Sequence, residues 1–166
     1  MKYTEDQIKD YQAKKGSDRI QINNILCAVC VGALSVLLGL SNERLSAWAV
    51  GQLAAAIPCL ITSSLAYAKT SYRNRDEHAR WDTLGWATHT LGYVAVINAV
   101  GIMLFRNGFI SVGWIFVCIV TAQFLIYSTL DIIMKRKRLR EKSIKLIIYL
   151  LLLFMGLVLP VMEGWA

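Results

Sequence analysis

Residues 135–162 read KRKRLREKSIKLIIYLLLLFMGLVLPVM. A basic segment from Lys135 to Lys145 runs directly into an apolar stretch, Leu146 to Met162, that holds no charged side chain. A transmembrane helix needs roughly 20 mostly apolar residues, because a charge in hydrocarbon costs several kcal/mol. The stretch therefore reads as a membrane span over 144–162, entered from a cationic loop.

The same alternation repeats back along the chain. Hydrophobic residues make up 56% of the sequence and charged ones 17%. That is richer in apolar residues than a soluble domain. The charges crowd between apolar runs at 109–134, 85–105, 45–68 and 20–40. The run at 20–40 opens on Gln21, Asn23 and Asn24 and is the most polar at its start. The expected fold is all-α: a polytopic membrane helix bundle of about five spans. A polar N-terminal arm over 1–19 precedes a membrane domain over 20–166. Thr4 and Gln7 have capping-box spacing, so 5–15 reads as a short helix in the arm. The segment KTSYRNRDEHARWDTL at 69–84 has no Gly or Pro. The flanking spans should continue into it as helices, and the segment 135–143 allows the same.

Orientation follows from the basic residues. All but Arg44 and Arg106 of the 18 Lys and Arg fall in the N-terminal arm, the 69–84 segment or the 135–145 segment. The positive-inside bias makes that side cytoplasmic and the topology N-in/C-out. Trp81 and Trp86 fall at one boundary, and Trp48, Trp114 and Trp165 at the other, as an aromatic belt requires. The net charge of +7 thus reads as topology and contact with anionic lipid, not as nucleic-acid binding. Lys135, Arg136, Lys137, Arg138 and Arg140 are the expected lipid or partner contacts. A bacterial inner (plasma) membrane is the expected location.

Within the second span, Ala47, Gly51, Ala55, Cys59 and Ser63 recur every fourth position. Such a ridge of small residues lets backbones approach, within the protomer or between subunits. Pro58 interrupts this helix and frees the carbonyl of Ala54. Cys27 and Cys30 form C-A-V-C, but inside a span, where buried thiols pack as small apolar groups. If 76–105 is one helix, His78, Asp82 and His89 share a face within about 40°. Spread over three turns they do not converge as metal ligands, so neither a metal nor another cofactor is expected.

Gln123, Tyr127 and Asp131 form a second polar stripe on the fourth span, and Asn98 and Gln52 add polar groups to the third and second. Polar groups inside a membrane face protein or water. His89, Asn98, Gln123, Tyr127 and Asp131 are accordingly the candidate lining of a cavity or pore, and spans two to four its framework. Span five reads as lipid-facing.

No Walker A loop, HExxH or GxSxG occurs. The expected function is that of a small homo-oligomeric channel or pore, since one five-helix protomer hardly encloses a lumen. The alternatives are a membrane anchor or accessory subunit that recruits a cytoplasmic protein partner, as in a bacterial defence system, and a small membrane enzyme acting on lipid or quinone.

Overall fold

The structure, a computed structural model, describes residues 5–39, 46–70, 75–134 and 139–164. Lys135, Arg136, Lys137, Arg138 and Trp165 lie outside these residues, as does the Thr4 of the capping box. The described residues are helical almost throughout and include no strand. The helices are α1 (Glu5–Gly39), α2 (Ala47–Thr70), α3 (Arg75–Arg106), α4 (Ile110–Met134) and α5 (Leu139–Leu153). A π-helical turn, Phe154–Val158, carries α5 on into a short α6 (Leu159–Met162). Five stretches are long and apolar enough to cross a bilayer: Gly16–Leu37, Ala47–Thr70, Ala79–Arg106, Ile110–Leu130 and Lys142–Met162. The chain is an integral membrane protein.

The polar helix expected over 5–15 and the first span are one continuous helix, α1. Nothing between Lys15 and Ile20 breaks the backbone, so the arm's helix simply propagates into the apolar run. α3 likewise begins at Arg75, ten residues before the apolar run at Gly85.

The ends of the elements have local causes. Ser46 caps α2: its Oγ accepts from the Ala49 N–H at 3.4 Å. α3 stops in a Schellman turn built on Gly108, whose φ of 81° suits a residue without a Cβ. There the Gly108 N–H donates to the Phe105 carbonyl and the Phe109 N–H to the Leu104 carbonyl, each at 3.0 Å. Asn107 Nδ2 takes up the Met103 carbonyl at 2.7 Å.

The chain forms two compact units, Met1–Val36 with Leu53–Tyr93, and Leu37–Gln52 with Val94–Ala166. In the first unit α1 and α2 are antiparallel, since Arg19 meets Tyr67 and Cys27 meets the Ile57 carbonyl. α3 lies close against α2. A Cβ on Gly92 would sit 2.7 Å from Leu60 Cγ, and one on Gly85 would sit 3.0 Å from the Tyr67 ring. Ala56, Leu60, Ser63, Ala66 and Tyr67 form the buried face of α2 here.

In the second unit the C-terminal half of α3 packs on the end of α5. A Cβ on Gly101 would meet Leu157 at 2.7 Å, and Ile102, Leu153 and Leu157 are buried. α4 runs along α5, with Phe124 stacked on Tyr149 at a centroid distance of 4.8 Å.

Candidate functional site

In the first unit the polar residues of the spans meet one another. Arg19 and Asn23 are one turn apart on α1. Opposite them on α3 stand Asp82 and His89, two turns apart. Arg19 donates to the Tyr67 hydroxyl and its guanidinium lies 4.7 Å from the centre of that ring. Its Nη1 is 3.7 Å from Asp82 Oδ1. Both ends of this ion pair are partly exposed, so in water it would add about 0–1 kcal/mol at most. One turn deeper, His89 Nδ1 and Asn23 Oδ1 are 2.6 Å apart, and His89 stacks on Tyr93 at 5.9 Å. Asn23 is 0% exposed, and its Nδ2 has no partner among the described residues. On the facing helix Ser63 Oγ donates to the Gly85 carbonyl at 2.7 Å, while Ser64 Oγ is buried without a hydrogen-bond partner among the described residues. The result is a polar ladder that starts where Lys69, Trp81 and Arg80 mark the end of the spans. Lys69 Nζ stands 4.4 Å over the Trp81 ring there.

Asp82 and His89 thus both reach α1, through partners that sit at the polar start of the first span. The side chain of His78, the third member of the expected stripe, lies outside the described residues.

Neither a protein-family model, nor a curated protein, nor a solved structure matches this chain. The site must therefore be read from its own chemistry.

The other candidates fall in the second unit. Asn98 is 3% exposed. Its Nδ2 donates to the Leu152 carbonyl at 3.2 Å, and its Oδ1 is buried without a hydrogen-bond partner among the described residues. Gln52 Nε2 donates to the Gly156 carbonyl at 2.6 Å, and Trp48 Nε1 donates to the same oxygen at 3.0 Å. The cause lies in the sequence of the last span. Pro160 has no N–H to give to the carbonyl four residues back, which is that of Gly156. The helix widens into the π turn at this place, and side chains from α2 and α3 supply the missing donors. Gly156 is what lets them in, because a Cβ there would lie 2.0 Å from Asn98 Nδ2. The last span, expected to face lipid, is also the helix these polar groups hold. Pro160 and Gly156 were the signal available in the sequence.

Gln123 and Tyr127 are exposed on α4, and Tyr127 is 71% exposed. The side chain of Asp131 lies outside the described residues. Of the small-residue ridge on α2, Ser63 is buried and Cys59 half-buried, whereas Ala47, Gly51 and Ala55 are exposed. A Cβ on Gly51 would meet nothing within 4 Å. Among the basic candidates Arg140 is described, and it is exposed. All four cysteines are free thiols. Among the described residues no His, Cys, Asp and Glu side chains group as a metal site.

Proposed function

We propose that the protein is a homo-oligomeric membrane channel whose lumen is lined by the Gln123–Tyr127 face of α4. One observation carries the reading: a carboxamide and a phenol stand exposed, one turn apart, on a helix of membrane-spanning length. Against lipid, such groups leave hydrogen-bonding capacity unmet. Around a shared axis they face water and one another. His89 and Asn98 already bond to neighbours in their own units, which leaves the lumen to α4. The exposed Ala47, Gly51 and Ala55 supply a surface on which a second copy could approach closely. Asp131, four residues beyond Tyr127, would make the lumen favour cations, as acidic rings do in channels.

The test is current across a planar bilayer holding purified protein, with oligomer mass measured in the same detergent. The expected result is a mass above that of one protomer and a cation-preferring current. Asp131→Asn should lower the preference and Tyr127→Leu the conductance. A monomeric mass without current under any condition would end the channel reading and leave that of an anchor.

A further inference from the structure

Two exposed cations flank a tryptophan where the second span ends and the third begins. Lys69 is the next-to-last residue of the stretch Ala47–Thr70, and Arg80 is the second residue of Ala79–Arg106. Both are exposed, and neither forms an ion pair among the described residues. Lys69 Nζ stands 4.4 Å from the centre of the Trp81 ring. The ring face attracts the ammonium without neutralising it. Arg80, next to Trp81 in the chain, adds a guanidinium whose planar fork matches a phosphate. The segment 69–80 holds Lys69, Arg73, Arg75 and Arg80 against Asp76 and Glu77, so its net charge is positive.

Further into the span, the face of α3 that carries Arg80 is apolar. Arg80, Leu84 and Leu91 lie within about 40° of one another around the helix. Leu84 is 40% exposed and Leu91 45%. Gly85 and Gly92, which meet Tyr67 and Leu60 of α2, lie about 110° round from this stripe, and Trp81 falls between the two. Asp82 and His89, which reach α1, are on the opposite side. The stripe therefore has cations at its head and open hydrocarbon below. From Arg80 to Leu91 the helix rises about 16 Å. That is close to the depth of one leaflet, half of a hydrocarbon core roughly 30 Å thick. A ligand that is negative at the span's end and apolar along its length is a phospholipid. Cations without ion-pair partners favour a head group with net negative charge over one that carries its own ammonium.

We propose that Arg80 and the Lys69–Trp81 pair hold the phosphate of an anionic phospholipid, one of whose acyl chains lies along Leu84 and Leu91. This is a defined lipid site on α2 and α3, distinct from the contact expected of the 135–140 segment. It requires no conduction and stands apart from the α4 lumen.

The probe is phosphatidylglycerol, titrated into the full chain in neutral detergent, with phosphatidylcholine of the same acyl chains as the control. Native mass spectrometry counts the lipids that stay bound. Phosphatidylglycerol should be retained at lower concentration than phosphatidylcholine. Lys69→Gln and Arg80→Gln, both at exposed positions, should each weaken its retention about fivefold, the effect of one cation near an anionic head group. Lys14→Gln removes an exposed cation on α1 and should leave retention unchanged. Equal retention of the two lipids would overturn the proposal. So would equal losses in Lys14→Gln, Lys69→Gln and Arg80→Gln, which would reduce the preference to overall charge. Full displacement of the lipid by inorganic phosphate would overturn it as well, by assigning the corner to a soluble anion and leaving the apolar stripe without a part.

Discussion

Asn23 and His89 are the pair in which a single side chain decides most. Asn23 is 0% exposed, and its Oδ1 lies 2.6 Å from His89 Nδ1. Removing one partner leaves the other within the spans with that bond unmade, whereas replacing both with apolar groups removes the demand. His89→Leu and Asn23→Leu should therefore each destabilise the protein, by about 1 kcal/mol judging from other intramembrane hydrogen bonds. The double variant should lose less than the two effects added together. Chemical unfolding in mixed micelles across the four proteins checks this; strict additivity would mean that the contact contributes nothing. The sequence had marked His89 as an ionisable group that must face protein or water. It did not give Asn23 as the partner, because α1 and α3 are distant in sequence and no periodicity says which face of one meets which face of the other. Asn98 shows the same limit. Its need for a partner was legible, but the partner is a backbone carbonyl of Leu152, and every residue has a carbonyl.

The small residues make the corresponding point for whole helices. The five spans were legible in the alternation of apolar runs and charges, and the structure places five such helices within a few residues of those bounds. Which small residues mark close approach was not legible, since spacing alone cannot tell a packed face from an open one. On α3, Gly92 stands so near α2 that a Cβ would lie 2.7 Å from Leu60 Cγ and 3.2 Å from the Ala56 carbonyl oxygen. On α2, a Cβ on Gly51 would meet nothing within 4 Å among the described residues. Comparing Gly92→Ala with Gly51→Ala separates packing from propensity, because both exchanges gain the same roughly 0.5–1 kcal/mol of helix preference. Gly92→Ala should still lower the unfolding midpoint, as overpacking costs about 1–3 kcal/mol. Gly51→Ala should keep or raise it. Equal midpoints for the two variants would show that α2 and α3 are not held closely at Gly92. A fall in oligomer mass on Gly51→Leu, with the midpoint unchanged, would assign the exposed part of the ridge to a subunit contact.

For the molecule as a whole, the property with the most physical leverage is the direction in which it crosses the membrane. If all five stretches cross, the two termini lie on opposite sides. The basic residues then choose between the two orientations, because Lys and Arg in short loops are retained on the cytoplasmic side. Here the choice is lopsided: with five crossings, all but Arg44 and Arg106 of the 18 Lys and Arg would share one side. Lys14, Lys69, Arg80 and Arg140 are all exposed. We therefore predict a cytoplasmic N-terminus and an external C-terminus. The native Cys27, Cys30, Cys59 and Cys118 all fall within the membrane-spanning stretches and can be replaced beforehand by Ala. A new thiol is then placed at Gly164 or at Lys137. On intact cells a membrane-impermeant maleimide should modify Gly164→Cys and spare Lys137→Cys; after permeabilisation it should modify both. The opposite pattern would invert the molecule. It would put the Arg19–Asp82 ladder and the basic segment at the external face, and with them the mouth of the proposed α4 lumen nearest Asp131. Labelling of both sites on intact cells would instead mean that the stretch Lys142–Met162, which separates them, does not cross the bilayer.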